Sequence, residues 1–322
     1  MSNQGHIAIS ASGGGAKGAY QVGVLEHMVE KLGSSIDSQL GLFATYAINC
    51  WHRLERTEQV WRKLAPWKYI PPIGDHGHIG DNSPLRELLG EMLPSNAHDL
   101  VMQGVPVSMP AWDMESGRLV WLESKSAKCK SDYISMGMAS ASFPLVFPPE
   151  IRKEGMLTDG GIAAIHGIDA SVRRGATRIL AISCRNPAHP EPASRSELGN
   201  IFKAAARFLD GMENEIVFGD LQRVELWNLL VEAGHPKAHG KRKICLDHIA
   251  PSESLGNPLD FASSLTERRK ALGRKDAKAY FDKNPEALLA YKDGFDSGDG
   301  CSVGAILMLG LGIQPVKGAK SP

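Results

Sequence analysis

His6-Ile7-Ala8-Ile9-Ser10-Ala11-Ser12-Gly13-Gly14-Gly15-Ala16-Lys17-Gly18 opens the readable part of the chain. A short apolar run leads straight into glycines. After them Val24, Leu25, Met28, Val29 and Leu32 recur at helical spacing, and Gly33 stands where a helix stops. The stretch predicts strand, glycine loop, helix. Working outward, residues 40–50 read as a second strand running into a helix and 51–64 as helix, while 65–80 is loop, rich in proline, glycine and aromatics. Ser83-Pro84 reads as an N-cap and a first-turn proline opening a helix to Leu93. Val105–Val107 and Leu119–Leu122 read as strands around a Met114–Arg118 turn, and Arg178–Ser183 as a buried strand. Ile201, Ala205, Phe208, Met212 and Ile216 mark one face of a long amphipathic helix. Strands alternating with helices predict an α/β layered fold. The expected organisation is a core over 1–185, a mainly helical continuation of the same domain over 186–314, and a tail over 315–322.

Composition narrows the function classes. The chain has 322 residues, 43% hydrophobic and 22% charged, enough to build a core without disulfides or metals. Lys+Arg and Asp+Glu are both 36. Zero net charge excludes a strongly basic nucleic-acid binder. The five cysteines form no C-x-x-C pair, which excludes a zinc ribbon and argues against a disulfide framework. Residues 1–5 are polar and lack a signal-peptide core. The late apolar stretch 302–313 is broken by Gly304, Gly310 and Gly312 and is shorter than the roughly 20 residues a membrane span needs. These features predict a cytoplasmic protein.

Gly13, Gly15 and Gly18 satisfy G-x-G-x-x-G, which leaves three readings. A dinucleotide site needs an acidic residue about 20 positions on, ending the second strand. Asp37 has the spacing but precedes the next apolar run. A P-loop is excluded because no G-K-[ST] follows, and a plain strand-to-helix turn fits the glycines equally well. The third reading takes the whole segment: residues 12–25 closely resemble the opening of patatin-like phospholipases. Asp81–Leu89, the Asp113–Arg118 hairpin, Ala139–Pro144 with Phe147-Pro148-Pro149, Thr158-Asp159-Gly160-Gly161 and Arg174–Leu180 resemble later segments of that family, in order.

The resemblance implies a three-layer α/β/α fold with a mainly parallel central sheet. It implies hydrolysis of lipid acyl esters by a Ser–Asp dyad through an acyl-enzyme, with no metal or organic cofactor, and a transient membrane-surface contact. Gly13, Gly14, Gly15 and Gly18 would form the oxyanion hole beside Lys17, each donor being worth about 3–4 kcal/mol in such sites. Asp159 would be the base, held by Gly160 and Gly161. Read alone, Lys17 is equally a solvated helix-end lysine, and Asp159 an ordinary Asp-Gly turn.

One part of the pattern is missing. The family's nucleophile elbow, G-x-S-x-G on a sharp strand-to-helix turn, is expected within 40–50. Aligning on Ala47-Ile48-Asn49 puts Ala44 at the serine position, with Leu42 and Tyr46 in place of both glycines; aligning on Gly41 puts Phe43 there. Thr45 is a weak substitute, β-branched and beside Tyr46, and Cys50 lies farther into the expected helix. His166, in an apolar run after the Asp-Gly-Gly motif, reads chiefly as a packed residue. A non-catalytic protein that keeps the pocket and binds lipid or a partner is therefore the alternative reading, and a nucleotide-binding α/β protein the third. Residues 75–81 contain metal-ligand types but read as a polar surface turn. Lys241-Arg242-Lys243 reads as a solvated basic face. The segment 67–72 can form a lipid-facing lip.

Overall fold

The run His6–Ala11 forms β1, buried at every residue after the first. A 3-10 turn at Gly15–Lys17 follows, then α1 (Gly18–Leu32). The structure, a computed structural model, describes residues 6–32, 82–93, 95–103, 106–144, 147–186, 201–239, 242–256, 262–296 and 301–305. The further strands are β2 (Val107–Asp113), β3 (Arg118–Glu123), β4 (Glu150–Arg152), β5 (Gly155–Asp159), β6 (Ala176–Ile182), β7 (Cys245–Ile249) and β8 (Cys301–Ala305). The helices are α2 (Ser83–Met92), α3 (Ala97–Gln103), α4 (Lys130–Ala141), α5 (Ile168–Arg173), α6 (Ile201–Glu232), α7 (Ser263–Lys283) and α8 (Pro285–Asp296). Asn82, not Ser83, stands at the N-cap of α2, and it makes no capping bond. Its amide donates instead to Ser142 Oγ at 3.3 Å.

The strands form one sheet in the order β4-β5-β2-β8-β1-β6-β7, with β3 paired to β2 off this path. The side built on β1, β6, β7 and β8 is parallel; the side built on β2 to β5 is antiparallel apart from the β2–β8 contact. Side chains alternate across a strand. Ile7 and Ile9 therefore enter one core with Val24 and Met28 of α1, Phe281 of α7 and Tyr291 of α8. Ala8 enters another with Ile168 of α5 and Val224 of α6. Helices cover both faces of the sheet, giving three layers.

Two glycines set how closely the α1–α7 layer packs. A Cβ on Gly23 would lie 2.0 Å from the Lys270 carbonyl oxygen, and one on Gly273 would lie 2.0 Å from that of Tyr20. The two helix backbones touch there, and no side chain fits between them. At the sheet edge, buried Asp247 of β7 accepts from Arg178 Nε (2.7 Å) and Nη2 (3.0 Å) and from the hydroxyls of Tyr280 and Tyr291 (2.7 Å each). One carboxylate thus ties β6, α7 and α8 to β7.

The register of β2 positions the site. Ser108 pairs with both Glu123 of β3 and Gly304 of β8, and Ala111 pairs with both Val120 of β3 and Asp159 of β5. Since β3 occupies one edge of β2 throughout, β8 and β5 share the other edge. β8 runs parallel to β2 and β5 antiparallel to it, so their C-terminal ends approach head to head. On its far side the end of β8 is level with Ala11, just before the glycine loop.

Candidate active site

The glycine loop is pinned from several sides. The Ser12 amide donates to Ile182 O (2.9 Å). Gln21, in the first turns of α1, donates through Nε2 to both Ser12 O (2.7 Å) and Ile182 O (3.1 Å), clamping the ends of β1 and β6 together. Fully buried Arg269 reaches from α7 to Ala16 O at 3.2 Å. Gly15 has φ 54°, in the left-handed region open to glycine. A Cβ on Gly14 would lie 2.6 Å from Cys184 Cβ and Sγ. The Gly13 N–H is already engaged, donating to Ile165 O at 3.3 Å, while among the described residues the Gly14 and Gly15 amides make no hydrogen bond. Gly18 begins α1.

Asp159 ends β5 and is 3% exposed. Its Oδ1 accepts from the Gly161 amide at 2.8 Å. Burial pushes its pKa up to about 7, with the Glu213 carboxylate raising it further and the Gly161 bond opposing. Gly160 is required because a Cβ there would lie 2.6 Å from the Pro110 backbone carbon and 2.8 Å from the Ala111 nitrogen. From this turn the chain reaches Ile165, whose carbonyl takes the Gly13 N–H. Six residues thus join Asp159 to the residue that holds the glycine loop.

A cavity of about 300 Å³ lies beside the loop, lined by Lys17, Cys184, Arg185, Arg207 and Asn214 among others. Asp159 does not line it, but Arg185 is ion-paired with Glu213, the carboxylate that raises Asp159. Lys17 is buried rather than solvated and lines this cavity with Arg185 and Arg207, together with the carboxylates of Glu215 and Glu253. Cys184 is buried and its thiol is pushed up to about 11, leaving it protonated near neutral pH.

His166 is packed, not poised. Its Nδ1 lies 3.4 Å from Ser10 Oγ and its Nε2 2.8 Å from Ser183 Oγ, which also contacts His248 Nε2 at 2.7 Å. Burial, with His248 adding, lowers the His166 pKa to about 3, and burial lowers His248 to about 4. Both rings are neutral, and the serine hydroxyl between them can donate to one and accept from the other.

Ala44 and Thr45, together with Leu42, Tyr46, Cys50, Asp37 and the 67–72 and 75–81 segments, lie outside the described residues. Reading for the elbow at its expected place missed a second location. The chain's single G-x-S-x-G is Gly300-Cys301-Ser302-Val303-Gly304, and its residues 301–304 fall on β8, the strand that ends between the glycine loop and Asp159. A scan of the whole sequence for that spacing finds it. In the observed register Ser302 pairs with Ala8, three residues short of the strand end. Asp159 is level with Ala111, three residues past the partner of Gly304. Ser302 is thus five residues, about 17 Å, short of that level. An elbow requires the serine at the strand end, and this register holds it within the strand.

Among the described residues no three His, Cys, Asp or Glu side chains are grouped to hold a metal, and no helix is long and apolar enough to cross a membrane. A three-layer α/β protein with a pinned glycine loop and a buried carboxylate at facing strand ends is the class defined here. The patatin-like phospholipase family model matches residues 9–170, half of the chain, and the chain belongs to that family of lipid acyl hydrolases. No curated protein matches it.

Proposed function

We propose that this chain binds lipid acyl esters at the end of β8 and that Asp159 serves there as general base. The observation that carries the reading is Asp159 itself: buried, titrating near pH 7, and placed where β5 meets β8 beside the glycine loop. A base is most effective with a pKa near the working pH. A hydroxyl oxygen attacks the ester carbonyl while its proton passes to Asp159. The carbonyl oxygen becomes an oxyanion facing the Gly14 and Gly15 amides, and the Lys17 side chain beside the loop favours the same charge. Collapse expels the alcohol, which takes the proton from Asp159. Water then attacks the acyl-enzyme by the same route and frees the acid. On this reading the loop serves an oxyanion rather than a pyrophosphate.

The hydroxyl must arrive at the end of β8. Ser302 is the candidate by motif, and Thr45 is the hydroxyl adjacent to Ala44, the aligned serine position. The register of β8 favours a second reading, a protein that binds lipid esters without turnover, because Ala305 at the strand end is followed by Ile306 and Leu307. A fluorophosphonate probe followed by peptide mass spectrometry separates the two. A label on Ser302 or Thr45, with p-nitrophenyl ester hydrolysis rising with pH through a midpoint near 7, supports the hydrolase. Saturable ester binding with neither label nor turnover supports the binding protein.

A further inference from the structure

The cavity beside the glycine loop offers chemistry that ester hydrolysis does not use. Its volume of about 300 Å³ stands at the lower end of the range for small-molecule sites, roughly 300–1,000 Å³. Such sites are ordinarily lined by apolar side chains with a few polar groups among them. Here the proportion is reversed: Lys17, Arg185 and Arg207 stand with Glu215, Glu253 and Asn214. An acyl chain finds little to bury against, and a small charged ligand finds partners. The two signs are sorted by depth. Lys17 is 3% exposed and the Arg185 side chain 11%. The Glu253 side chain is 49% exposed, and Glu215 is exposed. Glu253 accepts from Arg268 and Lys275 at 3.3 Å each, so its charge is matched. Glu215 makes no ion pair among the described residues. Along α6 the order recurs. Arg207, Gly211 and Glu215 are spaced four residues apart, successive neighbours on the helix surface over about 12 Å. A Cβ on Gly211 would meet nothing within 4 Å, so the surface is notched between the guanidinium and the carboxylate.

We infer that this cavity binds a small dipolar ligand, an oxyanion group joined by a short linker to an ammonium. The oxyanion lies deep, against Lys17, Arg185 and Arg207, and the ammonium at the rim beside Glu215. Phosphoethanolamine has this chemistry, free or as the headgroup of a lipid. An ammonium carries three donors and a guanidinium five, so the bonds these side chains already make, Arg185 to Glu213 among them, leave donors for a ligand. The Glu215 carboxylate attracts the ligand's ammonium and repels a simple anion, so the second charge selects against inorganic phosphate. Only the lipid source rests on the acyl-ester reading. A headgroup held here would place its lipid beside the glycine loop, where Gly14 packs on Cys184 of the cavity wall.

Titration calorimetry of the full chain with two ligand pairs tests this: O-phosphoethanolamine against inorganic phosphate, and dihexanoyl phosphatidylethanolamine against dihexanoyl phosphatidic acid. In at least one pair the ethanolamine compound should bind saturably and about tenfold more tightly than its counterpart, the difference one charge-assisted contact makes. Binding in the lipid pair alone assigns the site to headgroups; binding in the free pair assigns it to a soluble ligand. Glu215→Gln should remove the preference within the pair, and Arg207→Gln should weaken both members about tenfold. Gly211→Leu fills the notch, touches no charge and favours the helix, so it should melt no lower than wild type and lose binding. Neither ethanolamine compound bound, both counterparts bound as tightly, or binding unchanged in Gly211→Leu overturns the inference. Binding by a chain that hydrolyses no ester leaves it standing and removes only the hydrolase reading; hydrolysis without binding of either ethanolamine compound does the reverse.

Discussion

Asp159→Asn should make this protein more stable above about pH 4, with the full gain reached only above neutral pH. The Asp159 carboxyl titrates near 3.8 in an unfolded chain and near 7 in the folded one, chiefly because burial disfavours its charged form. Below about pH 4 the group is protonated in both states and contributes no difference. Between about pH 4 and 7 the folded state holds a proton that the unfolded state has released. Stability therefore falls as pH rises, by about 1.4 kcal/mol per unit for this group, and levels off above pH 7 at a loss of about 4 kcal/mol. Asparagine has the shape of the neutral acid, keeps an oxygen for the Gly161 amide and never ionises. Variant and wild type should agree within about 1 kcal/mol near pH 4. Near pH 8 the variant should be more stable by about 4 kcal/mol, or about 6 °C in Tm for a chain of 322 residues. Asp220, which burial raises to about 6, titrates in both proteins and cancels in the difference. Paired urea and thermal unfolding at the two pH values measures this. An equal gap at both, or a variant less stable at pH 8, refutes the claim that the folded protein holds a strained carboxylate at this site.

Two further substitutions probe the scaffold. Gly23→Ala places a methyl 2.0 Å from the Lys270 carbonyl and should cost at least about 2–3 kcal/mol in urea unfolding, as overpacking does where backbone must move; a loss below 1 kcal/mol would mean that α1 and α7 do not touch there. Asp247→Asn leaves Arg178 without its carboxylate and weakens the bonds from Tyr280 and Tyr291, for a loss of about 3–5 kcal/mol if the pair behaves as buried ion pairs do, read in the same assay.

The opening segment was legible because its signals are local. An apolar run, three glycines and a helical repeat each act within a few residues, and β1, the loop and α1 follow from them. β3, β6 and the start of α6 were legible for the same reason, whereas the strand expected at Val105–Val107 runs over Val107–Asp113, and Phe208 and Met212, read as the apolar face of α6, are exposed. The start of α2 was placed one residue late because the side chain of Asn82 is drawn to Ser142, 60 residues away, and a cap rule sees only neighbours. The stretch beginning at Ser302 read as a broken apolar run; that it enters the middle of the sheet depends on open edges of β1 and β2, which lie far from it in the chain.

By itself the sequence determined the kind of scaffold, the glycine loop and the aspartate turn, since glycine's missing side chain and the Asp-Gly-Gly turn are properties of short segments. Only the tertiary structure decided which of their groups face the site. Gly13 gives its amide to Ile165, whereas among the described residues the Gly14 and Gly15 amides make no hydrogen bond. Lys17 is buried by packing against later segments, and Asp159 titrates near neutrality because strands and helices from across the chain exclude water from it. The same holds for Ser302. Its motif is a matter of spacing, but its distance from Asp159 is set by register with two other strands, and in a parallel sheet register is a property of the assembled ladder rather than of any one strand.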